Sequence, residues 1–208
     1  MEGNAQMKLL VTGFDPFGGE QINPSIEAVK RLPDVICGAQ IIKLEVPTER
    51  TRSLPVIESA ILEHDPDMIL SVGQAGGRVD ITVERVGLNV DDYRIPDNAG
   101  DRPTDEKIVA DGPDAYFVNL PIKKMVEHIR QKGIPASVSN TAGTFVCNHV
   151  IYGVRHLIET KYPGKRSGFI HIPFLPEQVV NKGGMPSMTL EMVVEALIGA
   201  VEAMIEDR

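Results

Sequence analysis

Short apolar runs of strand length alternate along this chain with longer segments whose apolar residues recur at helical spacing. That alternation argues against all-helical and all-strand architectures and points to an α/β fold with a largely parallel sheet. The first strand is Lys8-Leu9-Leu10-Val11-Thr12, ending at Gly13. A helix opens at Asn23-Pro24-Ser25, with Asn as N-cap and Pro in the first turn, and runs to about Leu32 before Pro33 closes it. Ile36 to Val46 reads as a second strand, with Cys37 as a small apolar residue near its start. Thr48 to Glu63 reads as helix, kinked or restarted at Pro55. Met68 to Val72, stopped by Gly73, has the length and composition of a buried strand.

The period then changes. Val79, Ile81 and Val83, and then Val86, Leu88 and Val90, alternate with polar neighbours, which predicts strands that run antiparallel to the rest or project from them. Asp91 to Tyr116, rich in Asp, Gly and Pro, is a long loop or hairpin of the kind that carries function. Ile122, Met125, Val126 and Ile129 mark an amphipathic helix within Pro121 to Lys132. Ile134 to Ser139 is a strand, about Phe145 to Thr160 a helix, and Gly168 to Ile172 another strand. The last helix, about Ser187 to Glu206, is apolar over a wide arc suited to burial on the sheet and to a subunit contact.

Composition narrows the function classes. At 42% hydrophobic and 24% charged, the 208 residues have the balance of a folded domain, so wholesale disorder is excluded and one domain over 1–208 is expected. Lys and Arg number 21 against 29 Asp and Glu, a net charge of −8, which disfavours non-specific binding to nucleic acid or an anionic membrane. No apolar run reaches the roughly 20 residues of a spanning helix. Met1 to Leu10 lacks the basic and apolar regions of a secretory signal, so a cytoplasmic location is expected. Two cysteines, Cys37 and Cys147, are too few for a disulfide scaffold or a structural zinc site.

Cys147 is the residue best placed for chemistry. It follows a strand after the Gly-containing turn Ser139-Asn140-Thr141-Ala142-Gly143-Thr144, which puts it in the first turn of the next helix. There the helix dipole and unpaired amides favour a thiolate and can hold an oxyanion, although a free cysteine is also a common core residue. A thiol nucleophile wants a nearby imidazole and a group to orient it. His64 sits at a helix end, His128 and His156 lie on amphipathic helices, and His149 is two positions from Cys147 and points away from it. His171 lies inside the apolar strand Phe169-Ile170-His171-Ile172, at the strand end where ligands of open α/β sheets bind; it is either a base or a hydrogen-bonded core residue. Glu84, charged in strand-like surroundings, is either the orienting carboxylate or a solvent-facing partner of Arg85 or Arg78. Asp91, Asp92, Asp97 and Asp101 lack the alternating spacing of a cation loop. The Gly-rich turns Gly13 to Gly19 and Gly73 to Gly77 follow strands but match no phosphate-binding pattern, and Phe14 and Phe17 suit an apolar pocket better.

The run Ser139 to Asn148, together with Thr12 to Gly19, Gly73 to Asp92 and Phe169 to Gln178, closely resembles the pyroglutamyl peptidase I (pyrrolidone-carboxylate peptidase) family of cytoplasmic cysteine peptidases, and the resemblance covers nearly the whole chain. It implies a three-layer α/β/α sandwich with a mixed sheet, a catalytic triad of Cys147, His171 and Glu84, and oxyanion assistance from Arg94. It also implies a slot for the substrate ring lined by Phe14, Phe17, Thr48, Ile95, Phe145 and Val146, with Gln74 hydrogen-bonding the ring. The implied reaction releases an N-terminal pyroglutamyl residue from a peptide, without metal or cofactor, in a homotetramer. Two other readings stand beside it: a non-catalytic module that binds lactams or nucleotides, and an amidase acting on another cyclic amide.

Overall fold

The computed structural model describes residues 6–207; residues 1–5, part of the segment read for a leader, lie outside them. Seven strands form one sheet in the order β2-β3-β1-β4-β9-β5-β8. They are β1 (Lys8–Phe14), β2 (Val35–Ile36), β3 (Ala39–Val46), β4 (Met68–Gln74), β5 (Ile81–Glu84), β8 (Ala136–Ser139) and β9 (Arg166–Ile172). β1, β3, β4 and β9 run parallel. β5 runs antiparallel to β9 and parallel to β8, and β2 is antiparallel to β3, so the sheet is mixed. A separate ribbon pairs β6 (Val86–Leu88) with β7 (Ala115–Phe117).

Period-two alternation divides the apolar side chains between two faces. Leu9 and Val11 join Leu70, Val72, Ile170 and Ile172 against α1 (Pro24–Arg31), α3 (Ile122–Gln131) and α6 (Leu190–Glu206). Leu10 and Phe14 join Ile69 and Phe169 against α2 (Arg50–His64) and α4 (Val146–Thr160). Each side chain fully withdrawn from water contributes about 1.5–3 kcal/mol. The result is a helix–sheet–helix sandwich, as the resemblance implied.

The sequence reading of Ile36 to Val46 as one strand is corrected: Cys37 and Gly38 form a two-residue turn between β2 and β3, at φ 46° and 81°. Both residues are left-handed there, as the twist of a tight hairpin requires. Cys37 is accordingly exposed at the turn and is not a buried strand residue. Pro55 neither breaks nor restarts α2, which is continuous from Arg50 to His64. A four-residue helix α5 (Pro176–Val179), with Pro176 and Glu177 in its first turn, follows β9.

Two features place a binding site. β1 has β3 on one side and β4 on the other, while α1 and α2 cover opposite faces, so a topological switch point lies at the C-terminal ends of β1 and β4. The pairing of β1 with β4 ends at Thr12 and Ser71, and beyond it the Phe14 N–H donates to Ser25 Oγ (2.9 Å). The strand ends therefore part and leave a crevice. Gly153 of α4 brings α2 close, since a Cβ there would lie 2.3 Å from Leu54 Cδ1. That approach packs the two helices against each other on the face that carries Phe14 and Phe169.

Candidate active site

The turn after β8 delivers Cys147. Gly143 adopts φ 75°, and Gly143 N–H donates to Thr141 Oγ1 (3.1 Å), coiling the chain back before the helix. Phe145 is the N-cap of α4 in an extended conformation, Val146 is the first helical residue and Cys147 the second. Cys147 thus lies among the unpaired first-turn amides, where its position in sequence placed it. Asn148 anchors this turn: its side chain accepts from Leu88 N–H (2.8 Å) and donates to Leu88 O (2.9 Å) and Val90 O (2.8 Å).

Cys147 Sγ sits over Gly73, where an added Cβ would be 2.9 Å from the sulfur and 2.8 Å from Phe169 Cζ. Gly73 is registered with His171 across β4 and β9, and Thr82 of β5 with His171 from the other side. Three elements distant in sequence therefore bring the thiol and the imidazole to one place. His171 Nδ1 lies 2.8 Å from Glu84 Oε1, and both residues are buried. A carboxylate only accepts, so Nδ1 carries the proton and Nε2 is left as the basic nitrogen. Arg78 Nη1 donates to the same Glu84 oxygen at 2.6 Å. Of the two sequence readings of Glu84, the solvent-facing one is overturned by its burial, although Arg78 is indeed its partner.

The electrostatics describe a neutral pair at rest. Burial pushes the Cys147 thiol up to about 12, with the Glu84 carboxylate adding to the rise and Arg78 opposing it. Burial also lowers His171 below its ordinary value, outweighing the bond to Glu84. Burial works to raise the Glu84 carboxyl, yet His171, Ser139 and Arg78 together hold it below the usual range. Both directions favour an uncharged thiol and an uncharged imidazole, with the Glu84 carboxylate and the Arg78 guanidinium paired behind the imidazole, the state from which a general-base step starts.

The residues that the resemblance assigned to a slot lie near the ends of β1 and β4 and the start of α4. The Phe14 ring packs on Phe169 with centroids 6.2 Å apart, and Phe169 packs on His171 at 4.8 Å. Phe17 meets Phe145 at 5.9 Å, and Ile95 lies against the Gly18 loop. Thr48 is buried, its N–H donating to Asp15 Oδ1 (2.7 Å), and Val146 is buried beneath the helix start. Gln74 ends β4. Arg94 is exposed, and among the described residues it forms no ion pair, so neither Asp92 nor Asp97 holds it.

Several supporting residues were not legible. Asp91, Asp101 and Glu106 converge on Arg50, at 2.9, 3.3 and 2.7 Å, and Asp97 accepts from the Arg50 N–H at 2.7 Å. Asp91 also meets His149 Nδ1 at 2.8 Å, tying the 91–106 loop to the first turn of α4. Tyr93 stacks edge-on to Phe145 at 4.6 Å. Charges spaced over more than forty residues carry no local pattern, so only the folded chain reveals this socket.

The methyl of a Gly73→Ala variant would occupy space now held by Cys147 Sγ and the Phe169 ring. We expect a loss of about 10²-fold in kcat/KM with little change in circular dichroism, because displacement of the reacting atom by an ångström is enough. Activity at the wild-type level would show that the sulfur does not need this seat.

A helix with a cysteine in its first turn, set beside the switch point of a mixed α/β sandwich, defines the class: a candidate cysteine hydrolase. Residues 7–207 match the family model described as pyroglutamyl peptidase. A pyrrolidone-carboxylate peptidase of Finegoldia magna is 62% identical over 201 residues, covering 97% of this chain and 94% of that protein. The crystal structure of pyroglutamyl peptidase I from Bacillus amyloliquefaciens shares 52% identity and a TM-score of 0.93, covering 96% of each chain. A mutant pyrrolidone carboxyl peptidase from Pyrococcus furiosus shares 44% identity and a TM-score of 0.93, covering 97% of this chain and 99% of that one. The chain belongs to the pyroglutamyl peptidase family and is a peptide hydrolase. No helix of the described residues is long and apolar enough to cross a membrane.

Proposed function

We propose that this chain removes an N-terminal pyroglutamyl residue from peptides by nucleophilic catalysis at Cys147. The observation that carries the reading is the seating of Cys147 Sγ over Gly73, the register partner of His171, whose Nδ1 is bonded to Glu84 at 2.8 Å. His171 Nε2 takes the thiol proton as the sulfur attacks the pyroglutamyl carbonyl. The amides at the start of α4, assisted by Arg94, hold the oxyanion. Collapse breaks the C–N bond, and the imidazolium gives its proton to the departing amine. Water, deprotonated by His171, then hydrolyses the thioester and restores the thiol. Glu84 keeps the proton on Nδ1 and stabilises the imidazolium.

The substrate ring lies among Phe14, Phe17, Thr48, Ile95, Phe145 and Val146 and hydrogen-bonds to Gln74. A lactam carries no ammonium, whereas an N-terminal glutamate or glutamine would bury one unpaired at a cost of several kcal/mol. The tetramer implied by the resemblance belongs to the same proposal and is checked by light scattering.

The test is release of aminomethylcoumarin from pyroglutamyl- and prolyl-coumarin amides across pH. Turnover of the pyroglutamyl substrate alone is expected, with an acid limb below pH 6.5, the ordinary imidazole value, because His171 must be neutral and its value is lowered. As pH falls through that lowered value the base is lost; above it activity levels off, since the thiol stays protonated until far higher pH. Thiolate absorbance at neutral pH together with an acid limb above 6.5 would contradict the neutral pair. Faster turnover of another cyclic amide would favour the amidase reading.

A further inference from the structure

Gln74 is nine-tenths buried, yet among the described residues its Nε2 has no hydrogen-bond partner, while its Oε1 accepts from Gln178 Nε2 at 2.9 Å. The orientation of both amides follows from fixed donors and acceptors. Leu175 N–H, a backbone donor, lies 2.9 Å from the Gln178 side chain, so the Gln178 atom facing it must be Oε1. The other end of that amide is therefore an NH₂, and its surroundings agree: Glu20 Oε2 at 3.2 Å and Ile22 O at 3.4 Å are both acceptors. An NH₂ directed at Gln74 requires Gln74 to answer with its carbonyl oxygen. What remains at the end of β4, beside the crevice, is an unpaired donor on a buried side chain.

We infer that Gln178 is a specificity-determining positioning residue: by donating to Gln74 Oε1 it leaves Gln74 Nε2 as a hydrogen-bond donor that selects a ring carrying a carbonyl acceptor. This rests on the pyroglutamyl reading and assigns an atom to it. The lactam C=O is the acceptor, and a pyrrolidine ring of the same shape, lacking the C=O, leaves the donor unpaired. The polarity is set one residue behind the pocket, at the first turn after β9, by a backbone N–H that cannot be inverted.

A charge-conserving exchange tests the inference. In a Glu20→Gln/Gln178→Glu double variant, the carboxylate at 178 still accepts from Leu175 N–H and now accepts from the amide at 20. It has no hydrogen to give Gln74, whose amide must turn over and present Oε1 toward the crevice. Inhibition by 2-pyrrolidone is read against the coumarin substrate, and the rate of Cys147 alkylation by iodoacetamide serves as the control for nucleophile placement. We expect the exchange to weaken 2-pyrrolidone by more than about tenfold, and Gln178→Leu, which frees Gln74 to take either orientation, to weaken it less. Alkylation should proceed at the wild-type rate in both variants. A structural role alone gives the reverse order, because the exchange keeps the bonds of residue 178 to Leu175, to position 20 and to Gln74 and gives up only the Ile22 contact and the charge opposite Lys182, while Gln178→Leu removes every bond made by that side chain. That order, or unchanged inhibition in the double variant, overturns the inference. Failure of the wild-type chain itself to bind 2-pyrrolidone or cleave the substrate would overturn the pyroglutamyl reading, and this inference with it.

Discussion

Cys147→Ala is expected to abolish hydrolysis of pyroglutamyl amides, with a loss of at least about 10⁴-fold in kcat and no comparable loss of stability. The sulfur sits on Gly73 in the first turn of α4, and that turn is held by Asn148 on β6 and by His149 on Asp91 rather than by the thiol. Removing one atom therefore leaves the scaffold standing. Binding should survive as well, because the substitution leaves Gln74 and every residue proposed for the slot unchanged. The expected pattern is an inactive variant that still binds 2-pyrrolidone, with a thermal midpoint within a few degrees of wild type. Sustained turnover by Cys147→Ala would remove the nucleophile from this account. Cys147→Ser is a sharper form of the same test: it keeps the geometry but replaces the thiol by a poorer leaving and attacking group, and it should be nearly as inactive.

The second large effect belongs to Glu84→Gln. The amide is close in shape to the carboxylate but carries no charge, so the imidazolium formed during attack loses its stabilising partner and Arg78 loses its anion. A fall of about 10²–10⁴-fold in kcat is expected, with KM changed far less, since Glu84 touches His171 and not the substrate. The pH profile has a direction too. Glu84 raises His171, so its neutralisation lets burial lower the imidazole further, and the acid limb should move to lower pH. A variant with the same kcat, or with a limb displaced upward, would show that Glu84 is only a structural partner of Arg78.

What could be read in the sequence divides along physical lines. The α/β class, the Asn23–Pro24 helix start and the placement of Cys147 in a first helical turn all rest on contacts within a few residues, and they hold in the structure. The β2–β3 hairpin was missed because Cys37, an L-residue in left-handed conformation, is not a residue type that announces a turn. The change to period two at Val79 to Val90 marked strands antiparallel to the rest or projecting from them, and β5 runs antiparallel to β9 while β6 joins a separate ribbon; their neighbours in the sheet depend on the chain crossing past β9, which no local period encodes. Glu84 could not be placed from its own neighbourhood, since its burial is decided by His171, 87 positions away, and by Arg78. The Arg50 socket and the Gln178–Gln74 pair escaped for the same reason: their residue types are those of solvated surfaces until long-range folding encloses them. Cys147, His171 and Glu84 stood out by position, each with an alternative reading; the family resemblance joined them into a triad and alone named the slot.

The most direct test of the account is to trap the acyl-enzyme. The chain would be mixed with a pyroglutamyl ester at high concentration, quenched in acid within the first turnover, digested and analysed by mass spectrometry. The account expects one pyroglutamyl group as a thioester on the peptide containing Cys147, absent after prior alkylation with iodoacetamide. Steady turnover with the acyl group on another residue, or with none on Cys147 under conditions where deacylation limits the rate, would contradict it.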